Sequence, residues 1–191
     1  MALLRVCTRR IALIGYLRKG EIMKLTLKKI LALVAGGLAV VAFIMAFVSP
    51  LKNETPMGVQ AAKAFDVWFE EGGTIIPFIA FIVALLAGAY LIVRQFIAVP
   101  NDKIFFWVAI GLLVVAAVGI FLTEVLCINS TLSVMIEQAK AQGMNPTAAQ
   151  IEFQRKAMAE AISLNIGAIL GGILAALSAV VAVVAEKFIK D

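Results

Sequence analysis

The sequence predicts an all-α integral membrane protein in which four transmembrane helices form a bundle. Two observations support this prediction: 63% of the 191 residues are hydrophobic, and four long runs carry no charged side chain. The runs are between 19 and 25 residues long and cover residues 30–48, 74–93, 104–123 and 161–185. A helix needs roughly 20 apolar residues to cross the hydrocarbon core of a bilayer, so each run can span one. We expect the second helix to continue to about residue 95.

The N-terminal segment, residues 1–22, is basic and differs from the rest of the chain. Met23 then begins a second pattern, in which three lysines directly precede the first apolar run. A positive segment before a hydrophobic one is a common N-terminal signal of membrane targeting. We therefore expect translation to begin at Met23; the alternative is a translated, amphipathic tail on the membrane surface. The first run lacks a typical cleavage pattern at its end, so we expect an uncleaved helix.

Lysine and arginine residues are distributed unevenly around the four runs. Twelve belong to the two termini and to the link between the second and third helices, and five belong to the other two connections. Positive residues concentrate in cytoplasmic segments. We therefore expect a bacterial cytoplasmic membrane protein with both termini in the cytoplasm. The outer loop 49–73 and the outer segment 124–160 would then face the outside.

The outer segment 124–160 has the periodicity of a helical hairpin. Apolar residues recur at helical spacing after Thr123, and Gly143 followed by Asn145 and Pro146 indicates one helix end and a new helix start. From Pro146 the helix can continue unbroken into the fourth span. We expect the third and fourth helices to project roughly 30 Å beyond the bilayer, since about 20 residues rise 1.5 Å each. This hairpin either packs only on itself or binds a partner.

The outer loop 49–73 carries aromatic residues at helical spacing, namely Phe65, Trp68 and Phe69. One interpretation is a short helix that lies in the outer interface of the bilayer. The other is a surface that binds another protein.

Small residues recur every four positions in the predicted spans. The fourth helix carries Ser163, Gly167, Gly171, Ala175 and Ala179, and the second helix carries Ala80, Ala84 and Gly88. Small residues at this spacing let helices approach closely, either inside the bundle or between two protein chains. Asn165 is the one strongly polar side chain well inside a predicted span. It is either a functional residue or a residue that forms an interhelical hydrogen bond.

The residue types needed for most catalytic and metal chemistry are sparse. The chain has no histidine, which removes the commonest general base and metal ligand. Its two cysteines, Cys7 and Cys127, do not have metal-site spacing. We therefore predict no catalytic residue, metal or cofactor. The basic residues flank apolar runs, which argues against nucleic-acid binding and leaves the lipid bilayer, a protein partner or a second copy as expected partners.

These observations favour a non-enzymatic accessory or scaffold protein that acts through its outer hairpin, its aromatic helix or its helix ridges. The alternative is a small oligomeric transporter or channel with an uncharged path. A lipid-modifying enzyme that uses Glu70, Glu71 or Glu124 is a third hypothesis, although no base or metal accompanies these acids.

The layout of four helices and two outer segments resembles that of claudin-type and tetraspanin-type proteins. The first outer loop has no cysteine pair and the second has no Cys-Cys-Gly motif. The resemblance therefore concerns the layout, and it assigns no residue a role.

Overall fold

A computed structural model of the chain describes residues 27–55, 58–70 and 73–189. The segment 1–22 and the expected start at Met23 lie outside the described residues, and so does Glu71. The described residues form, in chain order, α1 (Leu27–Ile44), β1 (Leu51–Thr55), β2 (Gly58–Ala61), α2 (Ala64–Phe69), α3 (Ile76–Val93), α4 (Asp102–Phe121), α5 (Thr123–Ala141), α6 (Ala148–Ala161), β3 (Ile162–Leu164) and α7 (Ile166–Lys187). A 3₁₀ turn, Met45–Phe47, continues α1.

Four helices are long and apolar enough to cross a membrane, as the four uncharged runs predicted. They are α1 with its 3₁₀ turn, α3, α4 and α7, and they contain between 18 and 22 residues. The first begins three residues before the first uncharged run. The last begins five residues after the start of the fourth run, at Ile166.

The four long helices pack in a ring, in which α1 and α4 each contact both α3 and α7. The chain runs up and down through this ring, so α1 begins and α7 ends at the same end of it. Small side chains occupy most of the contact positions in the core, and larger ones fill the remainder: Ala35, Ala39, Ala84, Ala175, Phe81, Leu91, Leu113 and Ile120. Apolar side chains on the opposite helix faces are exposed, which suits contact with lipid.

A three-stranded antiparallel sheet lies at the end of the ring where α1 ends and α3 begins, here called the sheet end. Its strand order is β2-β1-β3, with Leu51 opposite Leu164 and Lys52 opposite Ser163. The all-α prediction is therefore incomplete. The three strands contain at most five residues each. Strands this short give little alternation in the sequence, and β3 forms by pairing with a segment more than 100 residues away.

The prediction of one unbroken helix from Pro146 into the fourth span is wrong. Helix α6 starts at Ala148, after a capping box in which Thr147 and Gln150 bond each other's backbone. It ends at Ala161, and β3 separates it from α7. Ser163, predicted on the small-residue ridge of the fourth helix, lies instead on β3. Pairing with β1 overrides the helical periodicity here.

The predicted third helix is interrupted once, at Leu122. The buried Thr123 hydroxyl donates there to the carbonyl oxygen of Ile120 at 2.5 Å. Helices α5 and α6 with the connection between them, residues 123–161, are here called the helical arm. The opposite end of the ring, where α3 ends and α4 begins, is called the ion-pair end.

Candidate functional site

Asn165, the polar residue singled out in the fourth run, lies at the junction between β3 and α7. Its side-chain Nδ2 donates to Ser49 Oγ at 3.1 Å, and its backbone N–H donates to the Pro50 carbonyl at 2.8 Å. Ser49 Oγ in turn contacts the Ala62 carbonyl at 2.7 Å. These bonds join the end of α1, the sheet and α7. Asn165 therefore lies just before α7 and not well inside the span, and its side chain bonds the segment between α1 and β1.

Polar side chains of α5 hold the sheet end together from the other side. Glu124 Oε2 accepts from the backbone N–H of Leu164 at 3.2 Å, which satisfies a donor on the outer edge of β3. The Ser130 hydroxyl donates to the Gly73 carbonyl at 2.7 Å. The sequence suggested Glu124 as one possible catalytic acid. In the structure its carboxylate accepts a hydrogen bond that holds β3 in place. Glu70 is exposed at the end of α2.

The three aromatic residues of α2 point in two directions. Trp68 is 3% exposed, and its Nε1–H donates to the Ala46 carbonyl at 2.9 Å. Phe65 and Phe69 are 66% and 49% exposed. Trp68 therefore anchors α2 on the bundle, and the two phenylalanines form the surface that remains for lipid or a partner.

Helix α6 is the least buried helix of the part of the chain that the structure describes. None of its 14 side chains is buried. It contacts α5 and the strands β1 and β3, and its Arg155 donates to Asn129 Oδ1 at 2.6 Å. Phe153 of α6 is 73% exposed. The exposed residues of α6 are mostly alanine and polar or charged, and Phe153 is the large exposed apolar side chain among them.

An apolar groove runs between α5 and α6 at the tip of the arm. It has a volume of about 740 Å³ and is lined by Met144, Pro146, Ala149 and Phe153, among others. Met144 is 54% exposed. Phe153 also lines a second groove, of about 380 Å³, between the arm and β1. We call the exposed faces of Met144 and Phe153 with these two grooves the arm surface.

The predicted small-residue ridges lie against neighbouring helices of the same chain. A Cβ atom added to Gly171 would come within 2.5 Å of the Phe81 ring, and one added to Gly88 within 2.5 Å of the Ala39 Cβ. A Cβ on Gly167 would overlap the carbonyl oxygens of Val48 and Ser49. Three further predicted ridge residues also pack inside the chain, since Ala84 and Ala175 are fully buried and Ala80 lies against Gly119.

The ion-pair end carries a charged network that the sequence reasoning missed. Arg94 Nη2 lies 2.7 Å from Asp102 Oδ2 and 3.3 Å from Glu186 Oε2, and it thereby joins α3, α4 and α7. The Tyr90 hydroxyl donates to Asp102 Oδ1 at 2.9 Å. Lys28 of α1 lies 4.0 Å from the same Glu186 oxygen. In the sequence, Arg94 counted only as one of the positive residues that predict a cytoplasmic segment. Its two partners lie 8 and 92 residues away along the chain, so local sequence does not reveal the network.

Cys127 is buried on α5 among apolar side chains. Burial raises the pKa of its thiol, and a hydrogen bond with Thr131 opposes this rise. The thiol is therefore a poor nucleophile at neutral pH. Among the described residues, no group of three histidine, cysteine or acidic residues is placed to hold a metal ion.

A scan against protein-family models found no matching family, and searches of curated proteins and of solved structures found no similar protein.

Proposed function

We propose that this protein is a non-enzymatic accessory or scaffold protein of a bacterial cytoplasmic membrane, which binds a protein partner through the arm surface. The single observation that carries the proposal is the arm itself: α6 has no buried side chain, and its Phe153 is 73% exposed. Exposed apolar surface of this kind is typical of protein-binding sites. In this proposal the four long helices cross the bilayer, both termini are cytoplasmic, and the arm projects outside.

The other candidate surfaces already have contacts within the chain or suit contact with lipid, which favours the arm as the partner site. The small-residue ridges already pack within the chain, and Trp68 is the buried residue through which α2 packs on the bundle. Phe65 and Phe69 then remain as residues of an interfacial helix in contact with lipid. The arm surface offers an apolar groove and a large exposed aromatic residue, and aromatic residues dominate the binding energy of many protein interfaces.

The test is purification of the protein from its native membrane in a mild detergent, followed by native mass spectrometry. Phe153→Glu places a charge on the arm surface and is expected to release the partner while the thermal stability stays unchanged. Val59→Glu is the matched control, since Val59 is apolar, 65% exposed and also at the sheet end. This control is expected to retain the partner.

Two results would contradict the proposal. One is a partner that stays bound to Phe153→Glu as tightly as to the wild type. The other is a homo-oligomer that carries solute across liposome membranes without any partner. That second result would favour the alternative of a small oligomeric transporter or channel, whose path would have to lie between copies because apolar side chains fill the described core of the ring.

A further inference from the structure

Two acid-lysine pairs flank the ion-pair end, Asp102-Lys103 at the start of α4 and Glu186-Lys187 at the end of α7. Adjacent residues of a helix point about 100° apart, because one turn contains 3.6 residues. Both acids turn towards Arg94, whose Nη2 is 2.7 Å from Asp102 and 3.3 Å from Glu186. The two lysines are therefore directed away from the network.

Both lysines lie beside Trp107, which lines a groove on the outer face of α4. Lys103 lines this groove together with Ile104, Trp107 and Val108, and the groove has a volume of about 490 Å³. Lys187 Nζ lies 5.4 Å from the centroid of the Trp107 ring, so the end of α7 contributes a second ammonium group. Within residues 27–55, 58–70 and 73–189, neither lysine forms an ion pair with a carboxylate. We call these five residues the lysine groove.

The apolar part of the lysine groove faces away from the bundle. Ile104, Trp107 and Val108 are 65%, 45% and 51% exposed. They belong to the first two turns of a helix that can span a bilayer, so their depth is that of lipid headgroups and upper acyl chains. The positive end of the α4 helix dipole lies beside them, and Arg94 offsets the nearby Asp102 charge. The ligand that matches is negatively charged at one end and apolar at the other.

We propose that the lysine groove binds one anionic phospholipid, with Lys103 and Lys187 on its phosphate and an acyl chain along Ile104, Trp107 and Val108. Basic sites between transmembrane helices are known to select anionic lipid headgroups. A free phosphate ion would leave the apolar residues uncovered. This inference rests on the membrane-spanning part of the proposed function and is independent of any protein partner.

The test measures lipids that remain bound to the full-length protein after reconstitution with equal amounts of phosphatidylglycerol and phosphatidylcholine. Native mass spectrometry is expected to find one retained lipid per chain, with phosphatidylglycerol favoured roughly tenfold or more. The double variant Lys103→Gln and Lys187→Gln is expected to lose this preference. The matched control, Lys140→Gln and Lys156→Gln, removes the same charge from exposed lysines of the arm and is expected to keep it.

Three results would overturn the lipid site. They are equal retention of the two lipids by the wild type, an unchanged preference in the Lys103 and Lys187 variant, and displacement of the lipid by inorganic phosphate. Trp107→Leu gives a second check, because it keeps both lysines and is expected to shorten the retention of the lipid. The arm variant Phe153→Glu leaves the lysine groove intact. The partner proposal and the lipid proposal are therefore tested by separate variants, and one can fail without the other.

Discussion

Individual glycines determine how closely the long helices of this bundle approach. At Gly171 the α7 backbone approaches the Phe81 ring of α3, and at Gly88 the α3 backbone approaches Ala39 of α1. Gly111 of α4 differs, since a Cβ added there would meet no atom within 4 Å. The same residue type is thus a packing requirement at one position and replaceable at another.

Gly171→Leu is expected to lower the free energy of unfolding by about 1–3 kcal/mol, because the added side chain has to displace the Phe81 ring or move α7. Thermal unfolding in detergent, followed by circular dichroism, measures the change. Gly111→Leu is the control and is expected to leave the melting temperature nearly unchanged. Equal stability of the two variants would show that Gly171 is not at a close helix contact.

At the scale of elements, the sheet end depends on side chains that join segments distant in the sequence. Asn165 binds Ser49 across 116 residues, and Glu124 binds the Leu164 backbone across 40 residues. Strand β3 has only three residues, so its position depends on these bonds and on its pairing with β1. The joint between α6 and α7 is therefore held by polar contacts.

A double-mutant cycle of Ser49→Ala and Asn165→Ala tests this joint. Asn165→Ala is expected to cost about 1 kcal/mol in unfolding free energy, because it removes the partly buried bond to Ser49. Ser49→Ala is expected to cost more, because the hydroxyl also donates to the Ala62 carbonyl. The double variant is expected to cost less than the sum, since both substitutions remove the same interaction. Ser133→Ala removes a hydroxyl that is exposed on α5 and serves as the control. Strict additivity in the cycle would contradict a direct Ser49–Asn165 bond.

At the scale of the whole molecule, the ring of four helices separates two different ends. The sheet end carries the arm surface and α2, and the ion-pair end carries the Arg94 network and the lysine groove. Both ends of the described chain lie at the ion-pair end, where Lys28 of α1 approaches Glu186 of α7. The lysine and arginine distribution of the sequence predicts that this end faces the cytoplasm.

Single reporter cysteines test this orientation, in a background where Cys7 and Cys127 are replaced by serine. Gln142→Cys lies at the exposed tip of the arm, and Ala98→Cys lies on the exposed link between α3 and α4. A membrane-impermeant maleimide is expected to label Gln142→Cys in intact cells and Ala98→Cys only after the cells are permeabilised. The reverse labelling pattern would place the arm in the cytoplasm and remove the basis of the proposed outer interaction.

The sequence by itself determined the four long helices. A run of about 20 uncharged residues can cross a bilayer, and within lipid a helix provides all of its backbone N–H and C=O groups with hydrogen-bond partners. It also indicated the short aromatic helix, and it singled out Asn165 as a polar side chain within an apolar run. Only the tertiary structure decided that Trp68 faces inward while Phe65 stays exposed, and that Ser163 belongs to a strand. Those outcomes depend on partners far along the chain, such as Ala46 for Trp68 and Lys52 for Ser163, and local periodicity carries no information about them.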